Sequence, residues 1–148
     1  MKVVVQRVKN AEVEVANKSI AKIDAGLLIL LGITSGDDQS DIKYIVDKIT
    51  NLRIFESTEG KMDLSVQDIK GSILIVSQFT LYGTCQKGRR PDFGLAAPAE
   101  QAKKIYNETI NAFKSTGIKI EEGEFQAHMQ IKLQNDGPVT LIIDSPIK

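Results

Sequence analysis

Polar side chains that could take part in catalysis follow one strongly apolar segment. Ser77, Gln78 and Thr80 come directly after the run ILIV, with Phe79 between them. On an extended strand Ser77 and Phe79 would point to one face, and Gln78 and Thr80 to the other. Polar groups at the end of a buried strand need hydrogen-bond partners or face a cleft. The cluster therefore predicts either a strand end with a satisfied network or a polar site open to a ligand.

The rest of the reactive inventory is small. The chain has one histidine, His128, and one cysteine, Cys85, so a Ser/His/Asp or Cys/His arrangement would have to use His128. No CxxC or HxxxH spacing exists, and a zinc site would need carboxylates to complete it. The sequences GxGxxG, GxxxxGK(S/T) and GxSxG are also missing. The sequence predicts no metal and no cofactor, and His128 is expected to be a packed or half-exposed strand residue.

A second unusual segment is Asn135-Asp136-Gly137-Pro138, between two strand-like stretches. Asp-Gly is typical of a tight turn, so a plain hairpin is one interpretation. Pro138 complicates it, because proline cannot donate to a strand ladder and restricts the residue before it. Only about 5–6% of X–Pro bonds in folded proteins are cis, so base rates alone favour a trans bond here.

One loop is locally basic, with Lys87, Arg89 and Arg90 next to glycine and proline in QKGRRPDF. A solvated loop is one interpretation. The other is a phosphate-contacting loop, because arginine forks match phosphate oxygens. Lysine plus arginine and aspartate plus glutamate are both 19, so the net charge is zero. The protein therefore has no global positive field to attract nucleic acid, and any basic contact must be local.

Alternating and continuous apolar patterns predict the strands. Residues 2–8, 11–15 and 19–23 are strand-like, and the continuous run that Gly26 opens predicts a central strand buried on both faces. A longer strand is predicted from Ser72 or Ile73 through Gly83. The segments IKIEEGEF, MQIKLQN and VTLIID predict three more strands near the end of the sequence.

Two segments have helical spacing. The buried face of the first is predicted to consist of Ile42, Ile45, Val46, Ile49 and Leu52. In the second, Pro98 is expected in the first turn and Gly117 after the end. Its predicted face consists of Ala102, Ile105, Tyr106, Thr109, Ile110 and Phe113. Since strands and helices do not alternate regularly, we predict an α+β fold, with a mixed or antiparallel barrel-like sheet and two main helices packed on it.

Length and composition predict one domain over residues 1–148. At 148 residues and 42% hydrophobic content the chain can bury a real core, and no Pro/Ser-rich linker or repeat divides it. A lone cysteine favours a reducing compartment. The first residues lack the pattern of a signal peptide, and no apolar run reaches the roughly 18 residues of a membrane span. We therefore expect a cytoplasmic protein with no membrane partner.

Two motifs identify the sequence as resembling a known family. SQFTL at 77–81 and NDGPVT at 135–140 are similar to the two signature motifs of the D-aminoacyl-tRNA deacylases, also called D-tyrosyl-tRNA deacylases. Further matching segments occur in the expected order: VVQRV at 4–8, GLLILLGI at 26–33, NLRIF at 51–55, KGRRPDF at 87–93 and AAP at 96–98. The resemblance covers essentially the entire chain.

The resemblance implies a homodimeric, metal-independent enzyme that hydrolyses the ester between a D-amino acid and the 3′ end of tRNA. Members of the family also remove glycine from mischarged tRNA. In the family the Gly–Pro bond is cis, and its carbonyls reach into the active site of the opposite subunit. The resemblance therefore replaces the base-rate expectation of a trans bond, and implies that Gly137 and Pro138 form the chiral filter.

Rigid backbone carbonyls could act as such a filter. An L-residue would point its side chain at them, whereas a D-residue would present its amino group for hydrogen bonding. Two mechanisms stay open: Thr80 as nucleophile, or assistance by the 2′-hydroxyl of the terminal adenosine. We favour the second, because no general base is visible beside Thr80. In it the amides of Phe79 and Thr80 stabilise the oxyanion, while Ser77 and Gln78 shape the pocket.

The resemblance implies three further roles. Arg7 would support the Gly–Pro turn near the substrate, although a surface arginine is the alternative. Phe125 and Met129 would be apolar walls for the terminal adenosine, unless they only pack in the core. Lys87, Arg89 and Arg90 would contact phosphates of the tRNA acceptor end. Two other functions stay open: a non-catalytic RNA-binding module of the same fold, and a generic esterase that needs no tRNA.

Overall fold

The computed structural model describes residues 1–86 and 88–146. Its strands are β1 (Lys2–Val15), β2 (Lys18–Ile23), β3 (Gly26–Gly32), β4 (Phe55–Glu56), β5 (Met62–Leu64), β6 (Ser72–Ser77), β7 (Lys119–Glu122) and β8 (Met129–Asp144). The helices of the described part are α1 (Gln39–Thr50), α2 (Ala99–Lys114) and a short 3-10 helix (Phe79–Tyr82). Neither α1 nor α2, with 12 and 16 residues, is long and apolar enough to cross a membrane.

One mixed sheet organises the molecule. Its order is β2-β1-β3-β6-β7, and β8 pairs with β1. Strands β3, β6 and β7 are parallel, whereas β1 is antiparallel to each of its neighbours. β1 pairs with β3 and then β2 along one edge, and with β8 along the other. The sheet curls so that β2 also approaches β6 and β7. The predicted α+β class with a barrel-like mixed sheet and two helices is confirmed.

Some strand boundaries differ from the prediction. The stretches 2–8 and 11–15 form the single strand β1, and MQIKLQN and VTLIID form the single strand β8. The two long strands pair along nearly their whole length, from Lys2 opposite Asp144 to Val15 opposite Met129. Because the two strands pair on both sides of each register shift, the extra residues bulge out of the ladder and do not end either strand.

Both helices bury most of the faces that the spacing predicts, but Leu52 lies beyond the end of α1, and Leu52 and Ala102 are only half-buried. In α1 the apolar face includes Ile42, Ile45 and Ile49, and the Asp38 and Asp41 side chains form a capping box at its start. In α2 the buried residues are Ile105, Tyr106, Thr109, Ile110 and Phe113. Pro98 precedes the first turn of α2 and is not within it. The two helices pack against each other and cover one face of the sheet.

The sheet has apolar residues on both faces. The larger core lies under the helices and includes Val3 and Val5 of β1, whereas Val8 and Val13 belong to a smaller core on the opposite face. β3 is buried on both faces, as its continuous apolar run predicts. Each fully buried Val, Leu or Ile side chain stabilises the fold by roughly 1.5–3 kcal/mol. The strands that carry the candidate site are therefore firmly held.

The predicted strand from Ser72 to Gly83 is wrong beyond Ser77. The Gln78 amide still donates to the Leu31 carbonyl at 2.8 Å, and the chain then enters the 3-10 helix, with the Leu81 amide donating to the Gln78 carbonyl at 3.3 Å. Leu81 packs close to Gly32, since a Cβ atom at Gly32 would lie only 3.0 Å from Leu81 Cβ. Because extended geometry ends at Ser77, the alternation predicted for residues 77–80 does not apply.

Candidate active site

A pocket of about 640 Å³ opens where β6 ends. We call it the strand-end pocket. Ser77, Gln78 and Phe79 line it together with Phe125 and Met129, five of the residues selected from sequence. Other lining residues are Leu31, Ile33, Val76, Phe93, Ala102 and His128. The pocket is mostly apolar with a few polar groups on one side, which is the usual composition of a small-molecule site.

The far wall of the pocket is the turn between β7 and β8. The Gly123 amide donates to the Ile75 carbonyl at 2.9 Å, and the Ala127 amide to the Glu124 carbonyl at 3.2 Å. Gln126 has a positive φ of 65°, which tightens this turn. Hydrogen bonds to β6 therefore place the wall directly beside the strand that carries Ser77.

Tyr106 of α2 connects the helix layer to the same wall. Its hydroxyl donates to the Ile75 carbonyl at 3.0 Å, and its ring lies 5.6 Å from that of Phe125. Burial raises the pKa of the Tyr106 hydroxyl above its ordinary value, so the group stays protonated and remains a donor. Helical spacing predicts Tyr106 only as a core residue, because it does not show which carbonyl a buried hydroxyl meets.

Two phenylalanines form the mouth of the pocket. The Phe79 and Phe93 rings meet edge to face with centroids 5.1 Å apart, and 56% of Phe79 is exposed. The loop that leads to Phe93 is closed by two backbone hydrogen bonds between Thr84 and Asp92, at 2.8 and 2.9 Å. Exposed aromatic faces next to a pocket are suited to contact a flat or apolar ligand.

The polar groups at the end of β6 have few partners, and Thr80, unlike Ser77 and Gln78, is not among the residues that line the strand-end pocket. The Gln78 amide nitrogen donates to the Thr80 hydroxyl oxygen. Within residues 1–86 and 88–146, the Ser77 hydroxyl has no hydrogen-bond partner, and the backbone amides of Phe79 and Thr80 meet no acceptor. Within the same residues, the Thr80 hydroxyl forms no hydrogen bond with a carboxylate or an imidazole that could take its proton. These groups are available to a ligand, and Thr80 has no base beside it.

His128 and Cys85 are both exposed. The prediction that His128 is a packed or half-exposed strand residue is wrong, because it is exposed and lines the strand-end pocket. It lies just before β8, because the strand starts at Met129. In the part of the chain that the structure describes, no group of three His, Cys, Asp or Glu side chains could hold a metal ion.

The NDGPVT motif does not form a hairpin. Gln6 pairs with Thr140 and Val8 with Asn135, so the four residues Asp136–Val139 lie opposite Arg7 alone. We call Asp136–Val139 the Gly–Pro excursion. The bond between Gly137 and Pro138 is cis. The hairpin interpretation is wrong because β1 pairs with β8 on both sides of the motif, so the extra residues must bulge out of the ladder.

Arg7 lies beneath this excursion. Only 5% of it is exposed, and its guanidinium donates to the Ile54 carbonyl at 2.6 Å and to the Asp136 carbonyl at 3.2 Å. A Cβ atom at Gly137 would lie 3.0 Å from Arg7 Nη2, and its φ of +122° also favours glycine. Arg7 is thus a buried residue that contacts the turn, and not a surface arginine.

The structure does not bring all the selected residues together. Arg7 and Gly137 line a second cavity of about 390 Å³, with Phe55, Glu56, Ile69 and Asp136. Gly137 and Pro138 are exposed and are not among the residues that line the strand-end pocket. Arg89 and Arg90 are exposed, and in the described ranges neither has an ion-pair partner. Lys87 lies outside the described residues.

Comparison with known proteins gives the family. A family model described as D-Tyr-tRNA(Tyr) deacylase matches residues 4–144. The D-aminoacyl-tRNA deacylases of Thermosipho africanus and Halothermothrix orenii are 59% and 55% identical to the chain over 145 residues, 98% of this chain and 97% of each relative.

Two solved structures share the fold. One, named "c-Myc DNA Unwinding Element Binding Protein", has a TM-score of 0.92 and 46% identity, and the match covers 99% of this chain and 100% of that one. The other, named "Structural Analysis of a probable eukaryotic D-amino acid tRNA deacylase", has a TM-score of 0.85, 16% identity and coverage of 96% and 97%. At that identity the second likeness concerns the fold alone. From the family match and the curated relatives, the chain is an enzyme of the D-aminoacyl-tRNA deacylase family, as its two motifs predict.

Proposed function

We propose that this protein hydrolyses the ester that joins a D-amino acid to the 3′ end of tRNA, releasing the amino acid and tRNA. The observation that carries the proposal is the set of unpaired polar groups at the end of β6. The Ser77 hydroxyl and the amides of Phe79 and Thr80 have no protein partner among the described residues, and they lie beside an apolar pocket of about 640 Å³. Such donors suit a carbonyl oxygen that gains negative charge during ester hydrolysis.

The mechanism that we favour uses the substrate's own 2′-hydroxyl. It assists attack of a water molecule on the ester carbonyl carbon. The bond from that carbon to the 3′ oxygen then breaks, and the 3′ oxygen takes up a proton, which leaves a free amino acid and a 3′-hydroxyl on the tRNA. The hydrogen bond from Gln78 occupies the Thr80 oxygen with a donor, which cannot accept a proton. Thr80 is therefore poorly activated as a nucleophile, and its amide is the more useful group. Phe125 and Met129 would be apolar walls for the terminal adenosine.

Gly137 and Pro138 would act as the chiral filter. Their backbone is anchored to β1 through the buried Arg7, so carbonyls in this excursion cannot yield easily to an approaching side chain. An L-residue would meet them with its side chain, whereas a D-residue would present its amino group. Glycine has no side chain to reject, so we also propose removal of glycine from mischarged tRNA-Ala.

This filter requires a homodimer. Gly137 and Pro138 are exposed and do not line the pocket of their own chain, so they could act on a pocket only from a second subunit. β8 also exposes Leu133, Leu141 and Ile142, the last with 68% of its surface accessible. Large exposed apolar side chains on one strand favour contact with another protein surface.

The tRNA backbone would be held by the basic loop, with Lys87, Arg89 and Arg90 as phosphate contacts. Arg89 and Arg90 are exposed and have no ion-pair partner within residues 1–86 and 88–146, so their guanidinium groups are suited to bind phosphate. We further propose that residues 1–148 act as one D-aminoacyl-tRNA deacylase domain and that the protein works in the cytoplasm, where aminoacyl-tRNA is used.

The test compares ester loss from D-tyrosyl-tRNA and L-tyrosyl-tRNA with purified protein in chelator-treated buffer. We expect rapid loss of the D-ester and background loss of the L-ester. Equal loss of both would remove the filter assigned to Gly137 and Pro138. Hydrolysis of simple esters at a similar rate would instead point to a generic esterase.

A second candidate is nucleic-acid binding without hydrolysis. One solved relative, 46% identical, is named for binding DNA. This candidate predicts retention of tRNA or DNA on the protein with no loss of either ester. A filter-binding assay in parallel with the ester assay separates the two functions.

A further inference from the structure

We propose that Asn135 is a positioning residue that holds the Gly–Pro excursion in its shape and thereby sets the discrimination between D- and L-esters. The second half of this inference rests on the proposed function. The first half concerns the geometry of the excursion and can be measured without any substrate.

The excursion leaves backbone groups without their regular ladder partners. Four residues of β8 lie opposite one residue of β1, so the hydrogen bonds of a regular antiparallel pair cannot form there. Pro138 has no N–H to offer. Backbone carbonyls that leave a ladder must find another donor or lose stability. The carbonyls of Arg7 and Val139 lie in this unpaired part of the ladder and need donors from elsewhere.

The Asn135 side chain supplies both missing donors. Its Nδ2 donates to the Arg7 carbonyl at 2.9 Å and to the Val139 carbonyl at 3.0 Å. The Thr140 hydroxyl donates to Asn135 Oδ1 at 3.4 Å. An amide nitrogen has two hydrogens, and both are used here. The reverse orientation of the amide would place an oxygen against two carbonyl oxygens, so the contacts themselves determine the orientation.

Asn135 and Arg7 hold opposite ends of the excursion. Arg7 donates to the carbonyl of Asp136, the first residue, and Asn135 donates to the carbonyl of Val139, the last. Within the described residues, no side chain donates to the Gly137 or Pro138 carbonyl. The two anchors therefore fix the ends and leave the two central carbonyls available to a ligand.

The test uses Asn135→Asp and Asn135→Ala. Asp keeps the shape but replaces the donor with an acceptor, whereas Ala removes the donor without adding charge. We expect the ratio of kcat/KM for D-tyrosyl-tRNA to that for L-tyrosyl-tRNA to fall about tenfold, equivalent to about 1.4 kcal/mol. The heteronuclear ¹H–¹⁵N NOE of Gly137 and Val139 should also fall, because the excursion becomes mobile on the picosecond to nanosecond timescale.

Asn10→Asp is the matched control. Asn10 Nδ2 donates to Gln134 Oε1 at 3.1 Å across the same two strands, outside the excursion. This variant should leave both the ratio and the two NOE values unchanged. Unchanged NOE values in both Asn135 variants would overturn the inference, as would an unchanged ratio in an active protein. If the wild-type protein hydrolyses neither ester while the NOE values fall in the variants, the positioning of the excursion stands and the proposed function fails.

Discussion

The strand-end pocket and the Gly–Pro excursion differ in how many hydrogen-bond partners their polar groups have. At the end of β6, the side chains of Gln78 and Thr80 bond only to each other among the described residues, and the Ser77 hydroxyl has no partner there. In the excursion, Arg7 and Asn135 donate three hydrogen bonds to the backbone carbonyls of Asp136, Val139 and Arg7 itself. The first region leaves its groups free, whereas the second uses side chains to fix backbone.

This difference shows which region can form new hydrogen bonds to a ligand and which keeps a fixed backbone. Unpaired donors cost little while water reaches them, and they gain full strength once a ligand excludes that water. A braced backbone has no such freedom, so it can reject a misfitting group by its position alone. Chemistry and selection would thus depend on regions with different rigidity, and substitutions in each should have different signatures.

The largest expected effect comes from the substrate side of the pocket. A D-aminoacyl-tRNA whose terminal adenosine lacks the 2′-hydroxyl should react more slowly by a factor of about a hundred, because proton-transfer assistance contributes factors of this size. Thr80→Ala should keep turnover within about tenfold of wild type, because its backbone amide remains. Single-turnover rates measure both.

Two results would contradict this view of the pocket. Thr80→Ala with turnover at background would return Thr80 to the role of nucleophile. Full turnover of the 2′-deoxy substrate would remove the 2′-hydroxyl from the mechanism. The stability of Thr80→Ala should be nearly that of wild type, because Thr80 is exposed.

The next largest effect is expected in the Gly–Pro excursion and the side chains that hold it. Arg7→Ala should lower the free energy of unfolding by about 2–4 kcal/mol, since it removes charged hydrogen bonds and leaves the Ile54 and Asp136 carbonyls without their donor. Urea denaturation measures this change. Arg53→Ala is the control, because Arg53 is exposed and should change stability by less than about 0.5 kcal/mol. Equal effects of the two substitutions would show that Arg7 does not brace the excursion.

The smallest effect is expected in the basic loop, which lies outside both the strand-end pocket and the Gly–Pro excursion. The double substitution Arg89→Gln/Arg90→Gln should lower the slope of log binding constant against log salt by about one unit for each phosphate that the protein no longer neutralises. Lys18→Gln/Lys43→Gln removes the same charge from exposed positions elsewhere and should leave the slope unchanged. An unchanged slope in the arginine variant would remove the phosphate role. Nitrocellulose filter binding over a salt series provides the measurement.

Local patterns predicted much of the fold. The apolar faces of α1 and α2 and the doubly buried β3 follow from periodicity, because side-chain direction repeats regularly in helices and strands. The end of β6 was not predictable in this way. Leu81 and Tyr82 continue the apolar pattern, although both lie in the 3-10 helix and pack near Gly32. Pattern alone cannot show which partner a side chain meets.

The candidate site was predicted from motifs more than from physics. Ser77 and Gln78 were noted for their polar side chains after a buried strand, but their roles and those of Phe79, Phe125 and Met129 came from resemblance, and all five line one pocket. The burial of Arg7 did have a signal, since it continues the odd-numbered series of Val3 and Val5 on the core face of β1. The excursion had none, because Asp-Gly is equally typical of a hairpin and only the long pairing of β1 with β8 decides between them.

The pairing of β1 with β8 also determines when the site can exist during synthesis. Lys2 lies opposite Asp144, so the chain must bring together residues 142 positions apart before this pairing is complete. Met129 and Ile131, which line the strand-end pocket, and the whole Gly–Pro excursion belong to β8. A growing chain that has reached β7 therefore has the helices and most of the sheet, but it lacks one wall of the pocket and the excursion. Such long-range pairing forms slowly, so the strand-end pocket and the Gly–Pro excursion are complete only after β8 has joined β1.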